Sequence, residues 1–194
     1  MSQKWDNLKK NLPNYLTYLR IAVIPALTVV FFLNSEWAYY LSTGLFLIAG
    51  VSDWLDGYLA RMWQAQSSLG RFLDPIADKL LVATALMLLV ATKRADLLPA
   101  IAIVCREILV SGLREFLAEI RIGMPVSKLA KIKTAAQMLA IGCLLLGAGA
   151  PYWLPAELLG RLLLWIAALL TLVTGYAYLK LGIKHMGEDE SPKN

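Results

Sequence analysis

Long apolar runs decide what this chain can fold into. Six of them, at approximately 15–34, 37–60, 73–92, 97–117, 131–150 and 156–180, fill most of its 194 residues. Crossing about 30 Å of hydrocarbon takes roughly 20 apolar residues in a helix. A backbone in lipid must also satisfy its own hydrogen bonds, which helices and closed barrels do. Hydrophobic residues make up 58% of the chain and its mean hydropathy is +0.58, above the roughly half-apolar mix of a soluble domain. The expected fold is an all-α integral membrane protein with six transmembrane helices, forming one domain over residues 14–184.

The flanks are polar. Residues 1–13 mix Trp5, Leu8 and Leu12 with Lys4, Lys9 and Lys10. That pattern suits an N-terminal amphipathic helix lying in the bilayer interface; the alternative is a disordered basic tail. No small-residue cleavage site precedes the first apolar run, so no cleavable signal peptide is expected. Residues 185–194 read as a mobile polar tail. Six spans put both termini on the side of the 61–72 and 118–130 loops. That side carries thirteen Lys and Arg residues against three, Lys93, Arg94 and Arg161, on the other. The bias places the termini in the cytoplasm. It also explains the net charge of +5 as topology and attraction to anionic headgroups rather than nucleic-acid binding. Cys105 and Cys143 lie within apolar segments and read as small buried hydrophobes. Neither they nor the lone His185 suggests a zinc site.

Against this greasy background, the stretch VSDWLDGYLARMWQAQSSLGRFLDPIADKLL holds four aspartates, Asp53, Asp56, Asp74 and Asp78. An aspartate at the centre of a membrane helix costs roughly 2.5–3.5 kcal/mol, so four together need compensation. At about 100° per residue, Asp56, Gly57 and Ala60 fall near 300°, 40° and 340° from Asp53 and share one helix face. Gly70, Asp74 and Asp78 follow at i+4 on the next helix. The short polar link between them predicts antiparallel neighbours whose acidic ends meet at the cytoplasmic surface. Converging carboxylates with hard oxygen ligands select a divalent cation, Mg2+, Mn2+ or Ca2+, and Mg2+ commonly shares its shell with substrate phosphates. The alternative is that each aspartate pairs with Arg61, Arg71 or Lys79, or is simply solvated.

The eight fixed positions Asp53, Asp56, Gly57, Ala60, Arg61, Gly70, Asp74 and Asp78 resemble, at every spacing, the signature of the CDP-alcohol phosphotransferases. That family is also a six-span membrane fold of this size. Its members move a substituted phosphate from a CDP-linked donor to an alcohol and release CMP. The resemblance implies that Asp53, Asp56 and Asp74 hold a divalent cation, Mg2+ or Mn2+, against the donor diphosphate. Asp78 would complete the metal site and act as catalytic base on the acceptor hydroxyl. Asp53, Gly57, Ala60, Arg61 and Gly70 would receive the CDP group. A homodimer in the bacterial cytoplasmic membrane, with its active site facing the cytoplasm, follows from the same resemblance and the charge bias.

Three further stretches, LPNYLTYLRIAVIP, CREILVSGLREFLA and VSKLAKIKTAAQM, resemble the branch of the family that joins CDP-diacylglycerol to sn-glycerol 3-phosphate. A dianionic acceptor needs fixed cations near Asp78. Arg106 and Arg114, eight residues apart, share a face of the fourth span, and Lys128, Lys131 and Lys133 cluster at the start of the fifth. Thr17 and Arg20, with Asn14, are candidates for the same cavity. Charges inside a span usually face a cavity or partner. The alternatives are that Arg106 and Arg114 pair with Glu107 and Glu115, and that the lysines only mark topology. Another family activity, such as cardiolipin synthesis with phosphatidylglycerol as acceptor, shares the signature. A membrane prenyltransferase would separate its Asp-rich motifs further, and a cation transporter would need neither the Gly57/Ala60 face nor Arg61.

Overall fold

The structure, a computed structural model, describes residues 2–33, 35–63, 68–119 and 127–189. Among these it contains six α-helices and no strand: α1 Ser2–Phe31, α2 Glu36–Trp63, α3 Ser68–Ala91, α4 Leu97–Glu119, α5 Lys128–Leu146 and α6 Ala156–Asp189. Each of the six apolar runs lies in one helix, the fifth finishing in a 3-10 turn over Gly147–Gly149. The surface segment and first span expected separately form one continuous helix, α1. The last helix runs to Asp189, into the polar tail.

Local chemistry sets the helix ends. At α5 the Ser127 hydroxyl accepts from the Ala130 amide at 3.1 Å, an N-cap that satisfies one otherwise orphaned donor. At its other end Gly147 takes φ +43°, a conformation that costs glycine little. There the Arg94 guanidinium caps the helix by donating to the Leu144 carbonyl and, at 3.0 Å, to that of Leu145.

The helices pack as a closed ring in the order α1, α2, α5, α6, α4, α3, returning to α1. Leu27, Phe46, Leu81, Leu89, Ile103, Leu144 and Leu164 fill its interior with almost no exposed surface. Fully buried Ala49, Ala77, Ala85, Ala140 and Ala167 let backbones approach, as small residues do between membrane helices. The outer faces are apolar too: Leu98, Ile108 and Leu109 on α4 and Leu162, Leu169 and Val173 on α6 are exposed. Helices hydrophobic all round belong in lipid, and this is a membrane protein. Two segments, Lys128–Gly149 and Ala156–Lys180, are long and apolar enough to cross a bilayer unaided, while Tyr15–Phe31 is a shorter apolar stretch. The charged and polar residues of the site interrupt α2, α3 and α4. Cys105, expected to be buried, is exposed on α4, and Cys143 is half-buried.

One neighbour relation differs from the expectation. α2 and α3 touch only lightly, because α1 packs against both of them. The short link between α2 and α3 limits their separation but leaves room for a third helix to wedge in.

Candidate active site

Asp53 and Asp56 sit in the second half of α2, and Asp74 and Asp78 in the first half of α3. The helix wedged between them brings two polar side chains. Arg20, with no exposed surface, places Nη1 2.9 Å from Asp53 Oδ1 and donates through Nη2 to Asp56 Oδ2. One turn earlier, the Thr17 hydroxyl donates to Asp74 Oδ1. Asp56 is nearly buried, whereas the Asp53 side chain is 43% exposed. A buried guanidinium held by two carboxylates is a charge-assisted arrangement whose loss would strand uncompensated charge.

The structure thus places Thr17 and Arg20, expected in the acceptor cavity, against the aspartates, and neither is among that cavity's lining residues. Asp53 lies within electrostatic range of Asp74 and Asp78, and Asp56 within range of Asp53 and Asp74, so the four carboxylates form one acidic neighbourhood. Their side chains are not closed into a ready cage. Among the described residues, no three His, Cys, Asp or Glu side chains gather tightly enough to hold a metal ion. The donor chemistry nevertheless suits a hard divalent cation: every available ligand is a carboxylate oxygen. Arg20 pairs with two of the four, and Asp78 makes no hydrogen bond or ion pair among the described residues.

Gly70 is buried and Gly57 half-buried beside these acids. The side chains of Ala60 and Arg61, expected at the donor nucleotide, lie outside the described residues, as does that of Asn14.

Asp78 also borders a cavity of about 460 Å³ between α3, α4 and α5. Its walls carry Lys79, Arg106, Arg114, Lys131 and Lys133, with Glu107 and Glu115. Four of the six cations expected around an anionic acceptor are thus brought to the proposed base; Arg20 is held by Asp53 and Asp56 instead. Lys128 is not among the lining residues and is exposed at the start of α5. Lys133 is almost fully buried and pairs with Glu107, which also lies 3.7 Å from Arg106 Nη1. The expected alternative pairing of Arg106 with Glu107 is therefore present, yet two cations share that one carboxylate. Glu115 instead accepts from Ser111 at 3.4 Å.

Residues on α6 were not anticipated. Arg106 Nη2 donates to Thr174 Oγ1 at 3.2 Å, and the guanidinium carbons of Arg106 and Arg114 lie 5.6 and 5.5 Å from the Tyr178 ring centroid. Thr174 and Tyr178 look like ordinary members of an apolar span, and nothing in their local pattern signals a role.

Residues 10–173 match the CDP-alcohol phosphatidyltransferase family, and the chain belongs to it. It is also similar to proteins named CDP-diacylglycerol–glycerol-3-phosphate 3-phosphatidyltransferase. The relative from Rickettsia felis is 46% identical over 173 residues, 89% of this chain and 96% of that protein. That from Haemophilus influenzae is 44% identical over 177 residues, 89% and 94%. That from Salmonella typhimurium is 42% identical over 176 residues, 87% and 93%.

Proposed function

We propose that this protein transfers the phosphatidyl group of CDP-diacylglycerol to sn-glycerol 3-phosphate, giving phosphatidylglycerol phosphate and CMP. The observation that carries this reading is the meeting of the family's fourth aspartate, Asp78, with a cavity walled by Arg106, Arg114, Lys131 and Lys133. A cavity lined that way favours an acceptor that brings its own phosphate. The relatives' printed names support the same donor and acceptor.

In this reading Asp53, Asp56, Asp74 and Asp78 hold a divalent cation, Mg2+ or Mn2+. Such an ion, when bound, neutralises the donor diphosphate and stabilises departing CMP. Gly57 and Gly70 leave room for the nucleotide, and the family signature assigns Arg61 to its phosphates. Arg106 and its cationic neighbours hold the acceptor phosphate so that the free hydroxyl faces Asp78. Asp78 takes the hydroxyl proton. The acceptor oxygen then forms its bond to the lipid-bearing phosphorus as the bond from that phosphorus to CMP breaks. The enzyme works at the cytoplasmic face of the bacterial inner membrane as a homodimer. Its six helices span that membrane, and the first turns of α1 reach out to its surface.

Replacing Arg106 tests the acceptor site. Hydrogen bonds to charged groups are worth roughly 1.5–3 kcal/mol, so Arg106→Ala should raise KM for glycerol 3-phosphate about ten- to a hundredfold. With ground-state and transition-state binding lost equally, kcat should be largely spared. Loss of CDP-diacylglycerol affinity with normal saturation by glycerol 3-phosphate would move Arg106 to the donor site.

A further inference from the structure

We propose that one face of α6, formed by Thr174, Gly175 and Tyr178, is the platform that aims the Arg106/Arg114 pair into the acceptor cavity, with Tyr178 as the positioning residue. The proposal rests on the acceptor reading given above and adds the element that makes it work.

Two cations eight residues apart on one helix repel each other and have long, mobile side chains. Three contacts from α6 restrain them. The Tyr178 ring lies within cation–π range of both guanidinium groups, at 5.6 Å for Arg106 and 5.5 Å for Arg114. Thr174 Oγ1 accepts from Arg106 Nη2 at 3.2 Å. At Gly175 an added Cβ would stand 2.9 Å from Arg106 Cγ, so the absence of a side chain there lets the arginine stem lie against the helix. Position 175 is glycine because the backbone is approached closely. The platform is itself fixed: Tyr178 is nearly buried with Val110, Leu113 and Leu117, and its hydroxyl accepts from the Ser127 amide at 3.3 Å. That bond ties α6 to the start of α5, from which Lys131 and Lys133 reach the same cavity. Tyr178 itself is not a lining residue of the cavity. It acts through the arginines, which distinguishes positioning from substrate contact.

The test compares Tyr178→Leu, Tyr178→Phe, Gly175→Ala and Arg106→Ala in the purified full-length enzyme, varying glycerol 3-phosphate and CDP-diacylglycerol separately. Tyr178→Leu removes two cation–π contacts and should raise KM for glycerol 3-phosphate about tenfold, with kcat and the donor KM within about twofold. Tyr178→Phe keeps the ring but loses the hydroxyl's bond to the Ser127 amide, so its acceptor KM should fall between the parent value and that of Tyr178→Leu. Gly175→Ala displaces the Arg106 stem and should raise acceptor KM in the same selective way, which keeps the proposal testable if Tyr178→Leu does not fold. Unchanged acceptor KM in Tyr178→Leu and Gly175→Ala, beside a raised value in Arg106→Ala, would overturn the platform and leave the acceptor site standing. A Phe variant as impaired as the Leu variant would overturn it too, by showing that the ring holds neither arginine in place. An unaffected Arg106→Ala would remove the acceptor reading and the platform together.

Discussion

Arg20 is fully buried and spans Asp53 and Asp56, so its removal affects the acidic cluster before anything else. Breaking a buried pair by deleting one partner typically costs about 3–5 kcal/mol. Arg20→Met should therefore melt well below the parent protein in detergent containing chelator. Adding Mg2+ should raise its melting temperature more than the parent's, because the stranded carboxylates have lost their protein cation. A variant as stable as the parent in chelator would contradict the pairing, and equal melting temperatures with and without Mg2+ would contradict the proposed metal role. At this scale the aspartates were legible, since their spacing alone puts Asp53 with Asp56, and Asp74 with Asp78, on shared faces. Their partner was half-legible. An arginine inside an apolar run demands a buried anion, but the sequence does not say which one, and Arg61, Arg71 and Lys79 were nearer in the chain.

At the level of elements, apolar run length located all six helices, because the length requirement is a property of each segment alone. Packing order is different: it depends on which surfaces fit, and a short link between α2 and α3 is compatible with α1 entering between them. The α6 platform escaped notice for a related reason. Arg106 and Thr174 are 68 residues apart, beyond any local periodicity. The α5–α6 contact offers a test of helix packing. A Cβ at Gly160 would sit 2.7 Å from Leu144 Cγ and 3.1 Å from the Ala140 carbonyl oxygen. Overpacking of this kind costs typically 1–3 kcal/mol. Gly160→Ala should lower the melting temperature while the activity per folded molecule holds, since α5–α6 contact at this point is remote from Asp78. A variant as stable as the parent would show that the two helices can part at no cost.

For the whole molecule, the proposed chemical groups gather toward one end: the second half of α2 and first half of α3, with Thr17 and Arg20 of α1 against them, and the cavity between α3, α4 and α5. The opposite end carries Arg94, Gly147 and the turn with fully exposed Tyr152. The proposed topology, which rests on thirteen basic residues against three, puts the first end in the cytoplasm. With Cys105 and Cys143 replaced by serine, a single cysteine at Ser127 should react with an impermeant maleimide only after the cells are opened. One at Tyr152 should react in intact cells. The reverse pattern would invert the topology and put the site on the wrong side of the membrane.

The most direct measurement is CMP release by the purified enzyme from CDP-diacylglycerol, with glycerol 3-phosphate, inositol phosphate, serine and phosphatidylglycerol offered as competing acceptors. A cavity with Arg106, Arg114, Lys131 and Lys133 beside Asp78 predicts that glycerol 3-phosphate dominates. It also predicts that glycerol without its phosphate hardly supports release, because the cations then have nothing to hold. Preferential use of phosphatidylglycerol or serine, or equal use of glycerol and glycerol 3-phosphate, would contradict the cavity's assignment to a phosphorylated acceptor.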